Sequence, residues 1–471
     1  MRGIVWFRRD LRVHDHPALA AALAECDEVL PLFIFDEPLL RSHQFGPACV
    51  NFMLGCLREL GEALAKRGLR LTWRQGDPVE EVLKAARDAR ADIVYWNRDY
   101  DPSAIERDRT VTRRLAPFHI AVRTFKDHVV FEAHEIRSAS GGPLQRYSAY
   151  RTRWWTQWRA SAPAVIPPPV RRAGSGSKAA IDLPTPDELG YDALQLAFPA
   201  GETEARRRLR WFLNGPIKDY GTGRNRPAVD GTSKLSPHFR FGTLSPRSAV
   251  HAALAAWDTR GADWRTGIQT WVDELVWRDF FQQILASFPR VAIGPFRPNL
   301  DAPPPRRDAR RFQAWREGRT GFPLVDAGMR QLNQTGWMHN RVRMVVASFL
   351  VKDLRLDWRQ GERYFMEHLL DADLAANNGN WQWCASTGTD AMPGYRVFNP
   401  TLQAKKFDPD GDYIRAHVPE LRSLPKKLIH QPEIMTTDDQ ERYGCRLGHD
   451  YPAPMVDHDR ARHEYLHAGS R

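Results

Sequence analysis

The first third of the chain alternates short apolar runs with segments of helical periodicity, and this alternation restricts the fold more than any other feature. Asp77 and Pro78 are typical of a helix N-cap and first residue, and Gly68 of a helix stop. The pattern predicts strands at 4–7, 29–35, 69–73 and 93–96, and helices at 17–24, 49–67 and 78–89. Alternating strands and helices predict an α/β domain with a doubly wound parallel sheet.

The first predicted strand continues as WFRRDLR, without the glycines that would cradle a dinucleotide. A G-x-G-x-x-G turn is needed there because only glycine lets the backbone approach the pyrophosphate closely. The sequence therefore argues against a nicotinamide-dependent enzyme.

Composition changes near residues 132 and 200, which predicts a division into 1–131, 132–200 and 201–471. The middle part is rich in Pro, Gly, Ser and Arg around PAVIPPPVRRAGSGSKAA, typical of an irregular interdomain linker. The last part predicts a nearly all-α domain, with Ser245 as one N-cap and a short polar tail beyond Tyr451. Its predicted helices are 202–214, 246–257, 266–288, 323–333 and 341–354.

Composition places the chain among soluble globular proteins, since 42% of its 471 residues are hydrophobic and 27% charged. No apolar run approaches the roughly 18 residues of a membrane span, and the N-terminus lacks a signal-peptide layout. The five cysteines form no C-x-x-C pair, so neither disulfides nor a metal site is expected. We expect a cytoplasmic monomer without a membrane partner.

The net charge of +11 and the pI near 9.5 favour a polyanionic partner such as nucleic acid. Most of the basic residues are arginines, whose planar fork matches phosphate oxygens. A solvated basic face is the alternative interpretation.

The stretch 371–390, DADLAANNGNWQWCASTGTD, is neither a good amphipathic helix nor a good strand. Buried carboxylates and amides need partners, and a polar run beside Trp381 and Trp383 would suit a flat ring rich in heteroatoms. A loop with two core tryptophans is the competing interpretation.

Three further stretches carry residue types that a simple core does not need. In GTSKLS (231–236), hydroxyls and backbone N–H groups could bind phosphates, although such residues also form turns and caps. In TWVDELVWRDFF, Glu274 falls within an aromatic face and would accept from a ring N–H or pair with an arginine. In TGWMHNRVRM, Arg341 and Arg343 open an apolar helix, beside His339.

These motifs, with DWRQGERYF and WFRRDLR, closely resemble the photolyase and cryptochrome family, specifically the class I cyclobutane pyrimidine dimer DNA photolyases of bacteria. The resemblance runs from residue 4 to about 455. It implies an N-terminal α/β domain, a long linker and a C-terminal helical domain that holds a folded FAD.

By position, the resemblance implies FAD contacts, with Asn377 facing the flavin N5 and Arg343 beside Asp371. The implied FAD contacts are Tyr220, Thr232, Ser233, Lys234, Leu235, Ser236, Trp271, Arg343, Asp371, Ala372, Asp373 and Asn377. The implied contacts to damaged DNA are Arg224, Glu274, Trp277, Arg278, Phe281, Asn340, Arg341, Met344, Trp383 and Arg396.

The implied reaction is repair by electron donation from light-excited reduced FAD to a flipped-out dimer, supported by Glu274 and Asn377. An electron relay to the flavin would pass through Trp358 and Trp381. The relay's third tryptophan is absent, since its place falls near Pro305 and 300–312 hold no Trp or Tyr. Trp315 and Trp337 are the nearest aromatic substitutes.

The resemblance leaves rival functions and pigments. A (6-4) photolyase would carry H-x-x-x-H where this chain has Asn340 and Met344. A cryptochrome photoreceptor often lacks the Glu274 and Trp277 pair and commonly has a long C-terminal extension, and a plant-type one has Asp at position 377. An antenna pigment is also implied: RRD, FDEP and WNRDYDP resemble deazaflavin binders, whereas Glu106 falls near the Glu of methenyltetrahydrofolate binders.

Overall fold

The structure, a computed structural model, describes residues 1–169, 181–297, 304–394 and 396–468. The centre of the predicted linker, 170–180, and residues 298–303 lie outside the described residues. The chain divides into two units, each assembled from several segments. Unit 1 comprises 1–218, 233–292 and 370–376, and unit 2 comprises 219–232, 293–369 and 377–471. The predicted three-part division therefore stays a prediction.

A five-stranded parallel sheet lies in unit 1, with the strand order β3-β2-β1-β4-β5. Its strands are β1 Arg2–Phe7, β2 Glu28–Asp36, β3 Thr72–Gly76, β4 Ile93–Asn97 and β5 Ala121–Phe125. The central strands are buried because helices cover both faces, as in other parallel sheets. The predicted doubly wound sheet is confirmed.

The described α-helices are numbered in chain order. They are α1 Pro17–Glu25, α2 Glu37–Leu40, α3 Pro47–Ala65, α4 Pro78–Asp88, α5 Pro102–Leu115, α6 Tyr147–Ala160, α7 Glu202–Asn214, α8 Tyr220–Gly223, α9 Ser236–Arg240, α10 Pro246–Thr259, α11 Arg265–Ser287, α12 Ala309–Glu317, α13 Pro323–Thr335, α14 Asn340–Ser348, α15 Trp358–His368, α16 Leu374–Cys384, α17 Pro400–Phe407, α18 Asp412–His417, α19 Lys426–Ile429, α20 Thr437–Tyr443 and α21 His458–Ala468. A π-helix, Phe349–Asp353, follows α14.

The two edge strands are where the sequence pattern was least informative. The third strand was predicted at 69–73 but begins at Thr72, and β5 was not predicted at all. Both strands are only partly buried, so neither carries the continuous apolar run that identifies the central strands.

The segment predicted as an irregular linker contains α6, so that prediction is wrong for Tyr147–Ala160. The helix is held by burial of three indoles, and Trp154 stacks on Trp158 with ring centroids 5.5 Å apart. The Trp154 indole also donates to the carboxylate of Asp279 on α11 at 3.1 Å. Tertiary packing therefore outweighs the Pro- and Gly-rich composition around the helix.

The helices of the second half agree more closely with the sequence. The predicted helix 202–214 has the same bounds as α7, and Ser245 caps α10 by accepting from the Ser248 N–H at 3.3 Å. The predicted helix 341–354 ends earlier, because the chain changes to a π-helix at Phe349. The tail, predicted only as short and polar, forms α21.

The stretch 371–390 is a poor amphipathic helix by its sequence, and the loop interpretation is wrong for the part that forms α16. Its residues face other parts of the protein on nearly every side, so no polar face marks the helix in the sequence. The carboxylate of Asp373 accepts from the Ala376 N–H at 3.1 Å, which is the contact of a helix N-cap.

Unit 2 is built around α13, which packs against α12, α14, α17 and α18. Asp326 on this helix is completely buried and accepts hydrogen bonds from the Thr320 N–H at 2.7 Å and the Tyr451 hydroxyl at 2.6 Å. Burial raises the pKa of Asp326, and these donors offset part of that cost. The carboxyl group thereby joins segments 125 residues apart in sequence.

Candidate functional site

The segment Asp371–Asp373 is fixed in unit 1 by its last carboxylate. Asp373 accepts from the Arg9 guanidinium and from the Gln282 amide at 3.0 Å, in addition to capping α16. Burial opposes its charge, but the charges of Arg9 and Arg278 hold the pKa of Asp373 well below its ordinary value. The carboxylate is therefore ionised and already occupied by protein donors, so it orients the segment.

A neutral histidine completes the surroundings of Asp373. Burial, followed by the charges of Arg278 and Arg9, lowers the pKa of His128 to about 3. The neutral imidazole accepts from Arg278 Nη2 at 2.7 Å, and Arg278 also donates to the His128 carbonyl. This guanidinium thus points inward, and the predicted phosphate contact of Arg278 gains no support from its geometry.

Residues 233–236 form a turn that leads into α9, which begins at Ser236. Lys234 adopts a left-handed backbone conformation, with φ of 50°, and the Ser233 carbonyl accepts from Arg208 Nε at 2.9 Å. The hydroxyls of Ser233 and Ser236 and the Lys234 ammonium form a donor set of the kind that phosphates require. Leu235 is buried and anchors the turn.

In unit 2, Gly231 allows α8, which begins at Tyr220, to approach the segment that contains Thr232. A Cβ atom at Gly231 would lie 3.2 Å from the Gly223 carbonyl oxygen, so a larger residue would push the two segments apart. Tyr220 is buried, and the Arg224 guanidinium lies 5.8 Å from its ring centroid.

The amides of α16 have the partners that their burial requires. Asn377 Nδ2 donates to the Glu362 carbonyl at 2.9 Å, and Asn378 Nδ2 donates to the Glu362 carboxylate at 2.8 Å. Gln382 donates to the Asn378 side-chain oxygen at 2.9 Å. These bonds fix the orientation of the Asn377 side chain. Its side-chain oxygen is the atom that would accept a hydrogen bond from a ligand.

The indole of Trp381 lies against α15, at a point where only glycine fits. A Cβ atom at Gly361 would come within 2.1 Å of the Trp381 ring. Trp381 also meets Trp315, with centroids 6.2 Å apart, and Trp315 meets Tyr364 at 5.8 Å. Trp358, the first residue of α15, is buried as well. Pro305, at the place of the missing third tryptophan, is exposed.

On α11, the predicted aromatic face divides into two environments. Trp271 is buried and packs on Phe212 with centroids 5.4 Å apart. Trp277 is half-buried and lies flat on Tyr147, with centroids 3.5 Å apart and planes inclined by 7°. Phe281 meets Trp277 at 5.5 Å, and Glu274, also half-buried, lies one turn before Trp277. Tyr147 was not identified from the sequence.

The remaining predicted DNA contacts lie in unit 2 and differ in their exposure and in the bonds that their side chains make. Arg341 donates to the Asn225 side-chain oxygen at 2.6 Å and lies 3.6 Å from the Met344 sulfur. Asn340 and Arg396 are exposed at the surface, while Trp383 is half-buried. The Arg396 carbonyl accepts from the buried Lys352 ammonium at 2.8 Å, which anchors its loop.

A cavity of about 380 Å³ opens in unit 1 at the carboxyl ends of the parallel strands, where α/β sheets bind ligands. The three motifs RRD, FDEP and WNRDYDP, distant in sequence, all contribute to its lining. They provide Arg8, Arg9, Phe35, Asp36, Asp99 and Asp101. Arg107 and Arg240 also line it and were not identified from the sequence. Glu106 is exposed and pairs instead with Arg113 at 3.1 Å.

One group of acids and a histidine in the described part of the chain has the spacing of a metal site: Glu132, His134 and Glu135. Its carboxylates are already neutralised, because Glu132 binds Arg98 at 2.7 Å and Glu135 binds Lys126 at 2.8 Å. A cation would have to displace both pairs, so the cluster is best explained as a structural ion-pair group.

Within the described residues, no helix combines the length and the apolar composition needed to cross a lipid bilayer.

Two family models match the chain. Residues 3–169 match the model described as DNA photolyase, and residues 271–471 match the FAD binding domain of DNA photolyase. The deoxyribodipyrimidine photo-lyase of Synechococcus sp. is 42% identical over 468 residues, which cover 97% of this chain and 94% of that protein. The Escherichia coli enzyme of the same name is 39% identical over 473 residues, covering 99% and 98%. The chain belongs to the DNA photolyase family.

Solved structures agree with this assignment. A bacterial class III photolyase from Agrobacterium tumefaciens superimposes with a TM-score of 0.90 at 38% identity, covering 100% of this chain and 97% of that one. A Synechocystis cryptochrome superimposes with a TM-score of 0.88 at 30% identity, covering 99% of each. Because a class III enzyme matches so well, the narrower assignment to class I stays a prediction.

The Glu362 carboxyl group predicts a measurable pH dependence of stability. Burial raises its pKa to about 7, although the Asn378 amide opposes the rise. Between pH 5 and 7 the folded chain therefore holds a proton that the unfolded chain has lost, and stability falls as the pH rises. Glu362→Gln should remove this loss, so its stability relative to the native chain should increase by about 1–3 kcal/mol from pH 5 to pH 8.

Urea denaturation followed by circular dichroism at both pH values measures this difference. The exposed Glu317→Gln is the matched control and should follow the native chain at both pH values. An equal stability difference between Glu362→Gln and the native chain at pH 5 and pH 8 would contradict the assignment.

Proposed function

We propose that the chain is a light-driven DNA repair enzyme that splits cyclobutane pyrimidine dimers. The main support for this proposal is the similarity of the chain, over nearly its full length, to proteins named deoxyribodipyrimidine photo-lyase. Two of these proteins are 42% and 39% identical to it. The arrangement on α11 supports this function, because half-buried Trp277 and Glu274 offer a flat ring and a carboxylate one turn apart.

FAD is the cofactor that this function requires, and when bound it supplies light absorption and electron transfer to the dimer. The residues present fit it chemically. The 233–236 turn offers hydroxyls and an ammonium for phosphates, the segment Asp371–Asp373 is held rigidly by Arg9, and Asn377 is fixed in rotation by Glu362. The proposed FAD contacts remain the twelve residues named from the sequence, with Arg343 beside Asp371.

The residues around the dimer would bind and orient it. Trp277 would stack on the dimer with the ring face that Tyr147 does not cover, and Glu274 would accept from a base N–H. Flipping the dimer out of the DNA duplex should cost little free energy, because the dimer already stacks and pairs poorly with its neighbours. Trp383, Asn340 and Met344 remain proposed contacts to damaged DNA.

An antenna pigment in the cavity of unit 1 is a further proposal. The deazaflavin-type motifs line this cavity, whereas the folate-type position Glu106 points to solvent. The cavity walls include Phe35 and Trp6, with the Arg107 guanidinium 5.0 Å from the Trp6 ring, which suits a flat conjugated ligand. A deazaflavin therefore fits better than methenyltetrahydrofolate, and the absorption spectrum of the purified protein distinguishes them.

A cryptochrome-type photoreceptor is the second candidate, because a Synechocystis cryptochrome shares the fold at 30% identity. Repair of dimer-containing oligonucleotides under blue light separates the two functions. Oligonucleotides that carry (6-4) photoproducts should not be repaired, since Asn340 and Met344 replace the two histidines expected for that activity.

Glu274 should support catalysis without holding the cofactor. Glu274→Ala should lower the repair yield per absorbed photon several-fold, because a hydrogen bond to the electron-accepting base is lost in a dry pocket. Flavin content should stay near that of the native chain. Glu274→Gln is the control, since its carbonyl can still accept a hydrogen bond. Loss of FAD or unfolding in Glu274→Ala would instead indicate a structural ion pair.

Binding to dimer-containing DNA should weaken steeply with salt, because arginines replace phosphate counterions. Titrations at several salt concentrations give the slope of log affinity against log salt. Arg396→Gln, which alters an exposed side chain, should reduce that slope by about 1. The same change in Arg278→Gln would support the predicted phosphate contact, and an unchanged slope would assign Arg278 to its bond with His128. Equal affinity for undamaged DNA would contradict the proposal.

Electrons for flavin photoreduction should enter the relay through Trp315. It is fully buried and its ring meets that of Trp381, whereas the usual third position lies near the exposed Pro305. Transient absorption of tryptophanyl radicals should show slower charge separation in Trp358→Phe and Trp315→Phe, while Trp337→Phe tests the other candidate. Native rates in both Trp315→Phe and Trp337→Phe would exclude both as entry points for electrons. Repair by reduced enzyme should persist in all three variants.

A further inference from the structure

Arg9 belongs to both the cavity and the segment proposed to contact FAD. Its guanidinium lines the cavity, where Nη1 lies 3.2 Å from Asp99 and 3.2 Å from Asp101. Its other terminal nitrogen, Nη2, binds Asp373 across 364 residues of sequence. One side chain thus forms part of a ligand cavity and holds the start of α16.

A second cavity arginine holds the neighbouring residue. Arg240 also lines the cavity, and its Nε donates to the Ala372 carbonyl. The two arginines are themselves joined, because Arg9 Nε donates to the Arg240 carbonyl at 3.3 Å. Two adjacent residues of the segment, Ala372 and Asp373, are therefore held by side chains that face the cavity.

The acids around Arg9 compete for its charge. Burial opposes ionisation of Asp99. The charge of Arg9 outweighs this effect and holds the pKa of Asp99 well below its ordinary value. Burial and the charge of Asp99 raise the pKa of Asp101 to about 7. One oxygen of Asp101, Oδ1, is buried without a hydrogen-bond partner within the described part of the chain. Asp101 is thus the acid in this group that has one buried oxygen without a donor among the described residues.

We propose that Arg9 and Arg240 are positioning residues that couple occupancy of the cavity to FAD binding. A flat ligand that donates an N–H or O–H group to Asp101 would satisfy this acid, which now competes with Asp373 for Arg9. The same ligand would displace water from Arg9, and the lower local dielectric strengthens its bond to Asp373. Ligand binding would therefore hold the segment 371–373 more firmly and tighten FAD.

This coupling rests on the proposed function, since it takes Asp371–Asp373 to contact FAD. It goes beyond energy transfer between pigments, because it acts in the dark and through equilibrium binding. Coupling is reciprocal, so FAD would tighten the cavity ligand by the same factor. A factor of about 10 is expected, within the usual range for two linked sites.

The test measures the FAD dissociation constant in the dark, from the fluorescence of released FAD, with and without saturating 8-hydroxy-5-deazariboflavin as the cavity probe. In the native chain the probe should tighten FAD by about 10-fold. In Arg9→Gln the ratio should fall below about 2, even when the probe is raised to saturation. Arg9→Lys, which keeps the charge but not the forked geometry, should give an intermediate ratio.

Arg107→Gln is the matched control. Arg107 lines the same cavity but pairs with Asp108 at 3.1 Å and has no bond to the segment 371–373 among the described contacts. It should weaken the probe itself while leaving the ratio at saturation near its native value. A structural defect in Arg9→Gln would appear in the circular dichroism spectrum, and Arg9→Lys then carries the comparison.

The outcomes separate the two proposals. A native chain that binds no FAD contradicts the proposed function. A native chain that binds FAD with a constant unaffected by saturating probe, or a probe that does not bind, overturns the coupling alone. A native-like ratio in Arg9→Gln and Arg9→Lys would also overturn it, since the effect would then bypass Arg9.

Discussion

The bond between Arg9 and Asp373 is the interaction on which the arrangement of the site depends. A buried ionised carboxylate is costly unless several donors surround it, and Asp373 has Arg9, Gln282 and the N–H of Ala376. Because the same carboxylate caps α16, the helix start is fixed by unit 1.

Hydrogen bonds to its buried polar side chains also explain why α16 forms without an amphipathic pattern. Asn377, Asn378 and Gln382 would each cost free energy if buried unpaired. Glu362 accepts hydrogen bonds from Asn377 and Asn378, and the side-chain oxygen of Asn378 accepts one from Gln382. The helix is therefore specified by partners on α15, and its own residue pattern carries little of that information.

Close packing sets the distances between the aromatic rings of unit 2. Gly361 leaves room for the Trp381 indole on α15, and the same indole then meets Trp315. Electron transfer is steeply dependent on distance, so such contacts would decide which aromatic side chain passes electrons into the proposed relay. The absence of a tryptophan near Pro305 was visible in the sequence, but the position of Trp315 beside Trp381 was not.

Local pattern was sufficient for much of the fold. Continuous apolar runs identified the three central strands, and local capping signals identified α4 and α10. The signal failed where burial was partial, as in β3 and β5, or complete, as in α16. It also failed for α6, whose tryptophans are stabilised by α11, because composition around a helix says nothing about a distant partner.

The sequence by itself determined the fold class, the family and the residue types available for the site, since these follow from local periodicity and from motifs at fixed spacing. Only the tertiary structure decided which charges meet. Arg9 with Asp373, Arg278 with His128 and Tyr147 with Trp277 are pairs distant in sequence. Each pair forms because burial requires a partner and the packing brings one within reach, and neither condition is encoded in a local pattern.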